Sequence, residues 1–471
     1  MRFFHLVVPP TGVPHWASSL AELLLAQGYQ VTWLTLAASS RPSVGRWLDR
    51  WMTGTFTEAL VPAGVQQRSI VCSALPNGRV VWAHPDAPPP NADVLRVRLG
   101  QQPWPSPLLG LRQTARSSGT VELSVTRSRD GTPSTLASAT VRADQRSPVR
   151  TRQSCESKVA PLVLAAIHGD VTETTTAKTR PHTAEALVHS VRVLRRWVAD
   201  RVAIRGHVDQ WQVGFRIGGD PLDLGTFHWP EPPLDRFWAD PFPFEHDGRH
   251  FVFYEELLYA DLKGRLCVAE VHADGRFDVL GVVLELPTHL SFPQVFAADG
   301  ELWMVPESVA TGEIALYRCV AFPLQWEKHA VLAEGPFVDT AVFPWNHGWA
   351  MLTSRTDGPV ESANDNLFAA TAPALTGPWT GLDSPVLIDV TGARMAGAPA
   401  QVEGRWYRVG QDCSVRYGYG MRLYELIDVR ANRLEEHIVA AWSPASNERA
   451  RHTWGVAGEL VVMDRQVRRL R

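Results

Sequence analysis

The sequence has 471 residues, of which 45% are hydrophobic and 20% charged, and its formal net charge is −3 at pH 7. This length suits two or three domains with cores of their own, and the nearly balanced charge excludes a general attraction to nucleic acid or to anionic membrane. The five cysteines are scattered without metal-ligand spacing and no apolar run could span a bilayer, so we expect a cytoplasmic chain with no metal and no membrane insertion.

The chain opens with a strand–loop–helix–strand pattern. Phe3 to Val8 is typical of a buried strand, His15 to Gln27 of a helix that Gly28 ends, and Tyr29 to Leu36 of a second strand. This order predicts the start of a doubly wound α/β sheet. The loop between strand and helix lacks a GxGxxG motif, so no dinucleotide cofactor is expected, and no other cofactor is indicated.

A hairpin and two helical patterns follow. Val121 to Thr126 and Thr135 to Val141 alternate in polarity on either side of the Asp130-Gly131 turn, which predicts two antiparallel strands. The segments Cys155 to His168 and Glu185 to Ala203 have helical periodicity.

With the phrase ADVLRVRLG, these elements resemble degenerate formyltransferase-like domains over roughly Met1 to Asp170. The resemblance implies a Rossmann-like fold and a catalytic Asn, His and Asp. His84 lies near the expected place, but no Asn stands two residues before it. We therefore expect a scaffold here, with formyl or acyl transfer as the weakest of three functional alternatives.

From Trp211 onward one phrase recurs: a small or acidic residue, an apolar pair, a turn with Gly, then an aromatic-rich strand. The repeats start about 50 residues apart, which is the length of a propeller blade. They read ADPFPFEHDGRHFVFY, SFPQVFAADGELWMV, VDTAVFPWNHGWAML, AGAPAQVEGRWYRV and HTWGVAGELVVM.

Five such units predict a five-bladed β-propeller over residues 206–471, preceded by the degenerate α/β domain with a helical linker over residues 1–205. Because the innermost strands of a propeller surround one axis, the residues that open them should converge on one acidic central pocket. These residues are Asp240, Ser291, Asp339, the Arg394 to Gly397 turn, and His452. An all-β sandwich is the alternative fold, but it would not explain the recurring phrase.

Two resemblances concern the same residues. The Ala239-Asp240-Pro241 phrase with its following DG turn resembles the first blade of glycoside hydrolase family 43. That resemblance implies Asp240 as general base and Asp339, in VDTAVF, as the residue that tunes the acid. The family's acid, a Glu on the fourth blade, has no counterpart, because this chain has Met395 to Pro399, MAGAP, at that place.

A closer resemblance, over about Trp211 to Arg471, is to the N-terminal region of the plant glucosamine inositolphosphorylceramide transferases. It rests on the phrases FWADP, SFPQVF, PES followed by GEIALYR, RMAG, GQDCS with YGYG, and HT. In the plant enzymes the sugar transfer resembles the work of a separate C-terminal glycosyltransferase domain. No such domain follows in this sequence, so we expect the fold to carry over more firmly than the activity.

Paired carboxylates on a ring of strands could perform glycoside chemistry, one taking a proton and one giving it. We expect Asp240 as base, Asp339 as orienter, and Glu307 or Asp412 as donor. The expected binders of sugar hydroxyls, carboxylate or phosphate are Arg394, Gln411, His452 and Ser291, with Trp238 stacking on a sugar face.

The neighbouring acids Glu255 and Glu256 are expected to be a solvated strand end. The partner is expected to be a carbohydrate or sugar conjugate, either hydrolysed or transferred in the pocket. The alternative is a non-catalytic module that binds a glycan or phosphosugar without turnover.

Overall fold

The computed structural model describes residues 3–8, 15–36, 66–70, 79–82, 93–99, 102–103, 119–129, 132–144, 148–168, 207–357 and 362–470. The chain divides into two compact units, Met1–Val198 and Ala199–Arg471, close to the predicted boundary after residue 205. His84 and the predicted helix over 185–203 lie outside the described residues.

The first unit contains an open sheet with the strand order β3-β2-β1-β4-β5-β7-β8, in which β6 also pairs with β5. The pairings from β3 to β5 are parallel and those of β5, β7 and β8 are antiparallel. The predicted strand–helix–strand opening and hairpin are both present. Neither described helix is long and apolar enough to cross a membrane. The elements are β1 (Phe3–Val8), α1 (His15–Ala26), β2 (Gln30–Leu36), β3 (Gln66–Ile70), β4 (Arg79–Trp82), β5 (Val94–Leu99), β6 (Gln102–Pro103), β7 (Thr120–Arg129), β8 (Thr132–Arg142) and α2 (Pro148–His168).

The second unit is a five-bladed β-propeller built from five separate sheets. Turns such as Asp247-Gly248 and Asp299-Gly300 join the first two strands of a blade with positive φ at both residues, which explains the recurring DG signal. Blade 1 is β10 (Arg236–His246), β11 (Arg249–Leu258), β12 (Lys263–Val271) and β13 (Phe277–Leu284). Blade 2 is β14 (Ser291–Ala298), β15 (Glu301–Glu307), β16 (Glu313–Ala321) and β17 (Gln325–Glu334). Blade 3 is β18 (Phe337–Trp345), β19 (Gly348–Arg355), β20 (Asn366–Ala372), β21 (Thr380–Gly381) and β22 (Leu387–Ile388). Blade 4 is β23 (Ala400–Val402), β24 (Arg405–Asp412), β25 (Gly420–Arg430) and β26 (Arg433–Trp442).

The fifth blade joins the two ends of the propeller. It consists of β27 (Glu448–Ala450), β28 (Trp454–Ala457) and β29 (Leu460–Leu470), with β9 (His207–Ile217) added from the start of the unit. The pairing of β29 with β9 runs without interruption from Leu460 opposite Ile217 to Leu470 opposite His207. Since β28 and β29 also pack on β10 of the first blade, the ring is closed by main-chain hydrogen bonds as well as by side chains.

Apolar residues of neighbouring blades fill the spaces between the sheets. Val213 and Phe215 of β9 are fully buried and pack with Trp238, Val252 and Leu460 in one cluster. Such burial between blades, rather than any one sheet, is the main source of the propeller's stability.

The first strands of blades 1, 2 and 3 begin with the same β-bulge. In each, two residues stand opposite one residue of the second strand, between Ala239 and Phe242, between Ser291 and Gln294, and between Val338 and Ala341. The first bulged residue has a left-handed backbone in every case: φ is 48° at Asp240, 50° at Phe292 and 49° at Asp339. A bulge re-aims side chains at the end of a strand, so this irregularity determines where the acidic residues point.

The ring closure can be tested with Phe215→Ala. Removal of a fully buried ring leaves a cavity between the closing strand and the first blade, so we expect a loss of about 3–5 kcal/mol in the free energy of unfolding. Urea unfolding of the whole chain measures it. The control is Leu470→Ala on the paired strand, where the side chain is 72% exposed and the change should stay within about 0.5 kcal/mol. Equal effects of the two changes would contradict the closing role of β9.

Candidate functional site

The site lies where the bulged first strands begin, and it is built from two layers of residues. The first layer comes from the opening of the first strands and contains Asp240 and Asp339, both buried. The second layer comes from the far end of the second strands. In blade 1 this residue is Glu255, opposite Ala239; in blade 2 it is Glu307, opposite Ser291; and in blade 3 it is Ser354, opposite Val338. The corresponding residues of blades 4 and 5 are Gln411 and Asp464.

Asp464 organises the junction between the last and the first blade. Its fully buried carboxylate accepts the backbone N–H groups of His452 (2.9 Å), Thr453 (2.9 Å) and Asp240 (3.2 Å). The His452 Nδ1 atom lies 2.5 Å from Asp464 Oδ2, and Trp211 stacks on the imidazole with ring centroids 3.9 Å apart. This environment fixes the imidazole so that its Nε2 atom faces Asp240 Oδ1 at 3.7 Å. Thr453 Oγ1 donates a hydrogen bond of 2.8 Å to the same oxygen.

Asp339 organises the opposite side of the site. Arg394 donates to both of its carboxylate oxygens, from Nε at 2.6 Å and from Nη2 at 3.3 Å. Gln411 Nε2 donates to Asp339 Oδ2 at 3.1 Å and to the Met395 carbonyl at 2.8 Å. Glu307 Oε2 accepts the backbone N–H of Asp339 at 3.0 Å. The structure thus supplies the buried partner that Arg394 requires, and a bidentate pair of this kind fixes both side chains.

The site contains more acids than bases, and burial decides which acids are ionised. Burial raises the pKa of Asp240 to about 6, with the charges of Asp339 and Asp464 adding to the rise and that of His452 opposing it. Burial and neighbouring carboxylates also raise the pKa values of Glu255 and Glu307 well above the ordinary range. An acid with a pKa of about 6 therefore lies beside two acids whose neutral forms are favoured by burial.

The charged forms of Arg394 and His452 are favoured by the surrounding acids. Burial opposes the charge of Arg394 and of His452, but the nearby carboxylates outweigh it. Asp339 raises the pKa of Arg394, and Asp464 with Asp240 raises that of His452. The arrangement can accept a proton at Asp240, donate one from a neutral carboxyl group, and offer positive charge to an anionic group.

Tyr417 lies at the surface end of the site. Its ring is 41% exposed, lies 4.9 Å from the Arg394 guanidinium carbon, and meets His452 edge-on at 5.4 Å. The loop that carries it packs closely on the imidazole, since a Cβ on Gly418 would lie 2.8 Å from His452 Cβ. Tyr417 is therefore an exposed residue in direct contact with the buried Arg394 and His452.

Asp240, His452 and Asp464 have ligand atoms within 4.8 Å of one another, which is close enough to hold a metal ion. The donor atoms do not suit one, however. Both oxygens of Asp464 already accept N–H groups, and the His452 Nδ1 atom is engaged by the same carboxylate. The trio is therefore a hydrogen-bonded charge cluster, and the expectation that the site uses no metal stays a prediction.

Three of the predicted site residues are placed differently from expectation. Trp238 is a core residue: its ring packs on Phe277 and Tyr254, and its Nε1 donates to Glu256, so no face is free for a sugar. Ser291 is buried but corresponds to Ala239, because the bulge places Phe292 where blades 1 and 3 have an aspartate.

Asp412 is the third of these residues. Its carboxylate accepts the Ser414 N–H at 3.0 Å and pairs with Arg422 at 3.5 Å, so it supports the loop that follows β24. The expectation for Glu255 and Glu256 was also wrong, since each is only 5% exposed. Asp240, Glu307, Asp339, Arg394, Gln411 and His452 do come together as expected.

The segment that opens the fourth blade, Met395 to Pro399, contains no acid. Gly397 has φ 121°, and a Cβ there would lie 2.0 Å from the Trp454 carbonyl oxygen, so only glycine fits. A cavity of about 300 Å³ opens instead at the other end of the innermost strands. It is lined mainly by apolar residues that include Phe242, Phe244, Phe296, Val342, Trp349 and Trp406, and by none of the predicted pocket residues.

Residues 232–467, half of the chain, match the family model described as glucosamine inositolphosphorylceramide transferase 1, N-terminal. The enzyme of that name from Oryza sativa subsp. japonica is 30% identical over 246 residues, which cover 46% of this chain and 33% of the rice protein. The Arabidopsis thaliana enzyme is 28% identical over 222 residues, covering 46% of this chain and 29% of the relative. The chain thus spans about a third of the length of the curated relatives it matches.

The propeller is also similar to a solved α-L-arabinanase of Cellvibrio cellulosa in complex with arabinohexaose. The TM-score is 0.34 at 14% identity, and the similarity covers 42% of this chain and 77% of that chain. The family match begins at residue 232, so the formyltransferase resemblance of the first unit stays a prediction.

The pairing of Asp339 with Arg394 can be measured by a double-mutant cycle of Arg394→Met and Asp339→Asn. Removal of the cation leaves a buried carboxylate without its partner, so we expect Arg394→Met to cost about 3–5 kcal/mol of unfolding free energy. The double variant should recover part of this loss, because it leaves no unpaired buried charge. Denaturant unfolding of the four proteins gives the coupling energy, and a value near zero would contradict the pairing.

Asp240→Asn should make the fold more stable at neutral pH. The pKa of Asp240 rises from 3.8 in the unfolded chain to about 6 in the fold, so the wild type loses stability as pH rises through this interval. Asparagine has no charge to bury and tolerates the left-handed backbone. The advantage of the variant should grow between pH 4 and pH 6 to on the order of 3 kcal/mol and then level off. Denaturant unfolding of both proteins from pH 4 to pH 8 measures this advantage. A difference in unfolding free energy that does not change with pH would contradict the prediction.

Proposed function

Since the chain belongs to the family of the N-terminal region of glucosamine inositolphosphorylceramide transferase 1, we propose that its propeller is carbohydrate-active and performs acid–base chemistry on the glycosidic bond of a sugar conjugate. The observation that carries the proposal is the site itself. Asp240, with a pKa of about 6, lies in one buried cluster with Glu255 and Glu307, whose pKa values burial raises well above the ordinary range.

The chemistry needs two proton transfers around one C–O bond. The Asp240 carboxylate takes the proton from an attacking water or sugar hydroxyl, whose oxygen bonds to the anomeric carbon. The glycosidic C–O bond breaks, and its electron pair and a proton from a neutral carboxyl group go to the leaving oxygen. Water as the attacking group gives hydrolysis, and a hydroxyl of an acceptor gives transfer.

The other residues hold these groups and the sugar in place. Asp339 ties down Arg394 and presents the guanidinium beneath Tyr417, where it can meet a phosphate or a sugar hydroxyl. His452 keeps a positive charge beside Asp240, which favours the ionised form that a base requires. Among the donors expected from the sequence, Glu307 belongs to the cluster, and Asp412 is engaged by Arg422.

The relatives are named for glucosamine and inositolphosphorylceramide, so aryl glucosaminides and glucosaminyl inositol phosphates are the first substrates to assay, followed by a wider panel of aryl glycosides.

Asp240→Asn should lower kcat by about 10²–10⁴, the range of one lost proton transfer. Wild-type activity should fall as pH drops below about 6, because protonated Asp240 cannot act as a base. Asp278→Asn, on the exposed outer strand of blade 1, is the control and should retain full activity. Unchanged turnover by the Asp240→Asn variant would contradict the assignment of Asp240 as the general base.

A second candidate is a module that binds a glycan or phosphosugar without turnover. It is favoured by the absence of an acid from Met395 to Pro399 in blade 4, and by the engagement of Asp339 with Arg394 and Gln411. Calorimetric titration with the same compounds separates the two, because binding without product for every ligand would establish this candidate. Formyl or acyl transfer by the first unit is the weakest alternative, and a titration with folates that shows no binding would remove it.

A further inference from the structure

Among the described acids of the site, Glu255 alone has a buried carboxylate oxygen without a hydrogen-bond partner. The residue is 5% exposed, and its Oε1 atom is fully enclosed. On β11 it pairs with Ala239, so it lies beside the bulge that carries Asp240. A buried carboxylate without donors is costly, whereas a neutral carboxylic acid in the same place is much less so.

The adjacent Glu256 shows what a structural acid looks like on the same strand. Its carboxylate accepts hydrogen bonds from Trp238 Nε1 at 3.1 Å, Arg236 Nη1 at 3.1 Å and Arg265 Nη2 at 2.6 Å. Burial would raise the pKa of Glu256, but these donors outweigh it and leave the pKa lowered. Neighbouring acids whose surroundings separate their pKa values in this way are a sign of acid–base roles.

His289 connects Glu255 to solvent. Its Nε2 atom lies 3.4 Å from Glu255 Oε1, and its side chain is 39% exposed. The Nδ1 atom accepts the Gly264 backbone N–H at 2.9 Å, so the neutral ring carries its proton on Nε2, facing Glu255. A Cβ on Gly264 would lie 2.7 Å from both Glu255 Oε1 and His289 Cε1, so this glycine makes the approach possible.

We propose that Glu255 is the proton donor of the reaction, an inference that rests on the function proposed above. Its O–H protonates the leaving oxygen as the glycosidic C–O bond breaks, which leaves a Glu255 carboxylate. The Nε2–H of His289 faces this new carboxylate and stabilises it. Solvent beside the partly exposed imidazole then returns a proton to Glu255, and Asp240 releases to solvent the proton that it took from the attacking hydroxyl. The acid thus comes from the second strand of blade 1, whereas the segment Met395 to Pro399 that opens blade 4 contains no acid.

The charges around Glu255 keep it protonated until the bond breaks. Asp240 on β10, Glu307 on β15, Asp464 on β29 and Asp339 on β18 all oppose a negative charge there, and His289 faces it as a neutral ring whose own pKa burial lowers. Glu307 is the rival donor. It is only half-buried, its Oε2 atom already accepts the Asp339 N–H, and the positive charge of Arg394 favours its ionised form.

The test compares Glu255→Gln with Glu307→Gln on two glycosides of the sugar that the wild type turns over fastest, one with a phenyl and one with a 2,4-dinitrophenyl leaving group. Dinitrophenolate can leave without being protonated, whereas phenolate needs a proton from the general acid. We expect Glu255→Gln to lower kcat/KM for the phenyl glycoside by about 10²–10⁴ and for the dinitrophenyl glycoside by less than about tenfold. The loss of activity that accompanies ionisation of the acid at high pH should also disappear in this variant. Equal losses on both substrates, or this leaving-group pattern in Glu307→Gln instead, would overturn the assignment.

Two further measurements keep the test decisive if Glu255→Gln folds poorly. Glu255→Asp keeps the acid and should retain the high-pH limb with a lower kcat, while Glu256→Gln should lower stability without changing the leaving-group response. Infrared difference spectra at pH 7 report the neutral carboxyl group without any substrate, and its absence from the wild type would contradict the proposal. No turnover of either glycoside by the wild type would overturn the proposed function itself, whereas turnover with an unchanged leaving-group response in Glu255→Gln overturns only the donor.

Discussion

The hydrogen bond from a bulged backbone N–H to the acid of the preceding blade is the interaction on which the site depends. The bulge removes the Asp240 and Asp339 N–H groups from their own ladders, and a buried N–H without a partner costs about 1–3 kcal/mol. Asp464 and Glu307 accept these two groups from the blades before. The same carboxylates therefore stabilise the blade junctions and determine where Asp240 and Asp339 point. Because Asp464 lies on β29, whose other edge pairs with β9, the geometry at Asp240 is coupled to the closure of the ring.

Charge balance explains why three acids of the site have raised pKa values. Five acids, Asp240, Glu255, Glu307, Asp339 and Asp464, share one cluster with two cations, Arg394 and His452. Close ion pairs form between Asp339 and Arg394 and between Asp464 and His452, and they use the available positive charge. The three remaining acids have neither full solvation nor a dedicated cation, so their pKa values rise. A cluster of this composition costs stability, and such a cost is typical of sites where protons are exchanged.

The sequence predicted the propeller and the first layer of the site, because both depend on local patterns. The recurring turn-and-strand phrase identifies blades, and the ADP and VDT phrases mark bulges at strand openings. Glu307 and Gln411 of the second layer were also predicted, but Glu255 and Asp464 were missed. These two stand in ordinary strand phrases, FYEELL and VVMDRQ, and only the hairpin register places them opposite the bulges. A signal was nevertheless present: Glu255, Glu307, Gln411 and Asp464 recur with the blade period. Trp238 was misassigned because its partner Phe277 comes from the outermost strand of the same blade, a contact that no local pattern reveals.

The two layers also divide the chemistry between them. A residue at a first-strand bulge has a strained left-handed backbone and a side chain aimed by the neighbouring blade, which suits a base that must meet an attacking hydroxyl at a fixed angle. Glu255, at the end of a second strand, has an enclosed Oε1 atom that accepts no hydrogen bond, unlike Asp464 and Glu307 in the same layer, and this suits an acid that must hold its proton. The segment Met395 to Pro399 that opens blade 4 contains no acid, and Gly397 has no room for a side chain beside the Trp454 carbonyl. In the proposed mechanism the acid therefore comes from the second layer, where Glu255 has an enclosed Oε1 atom that accepts no hydrogen bond.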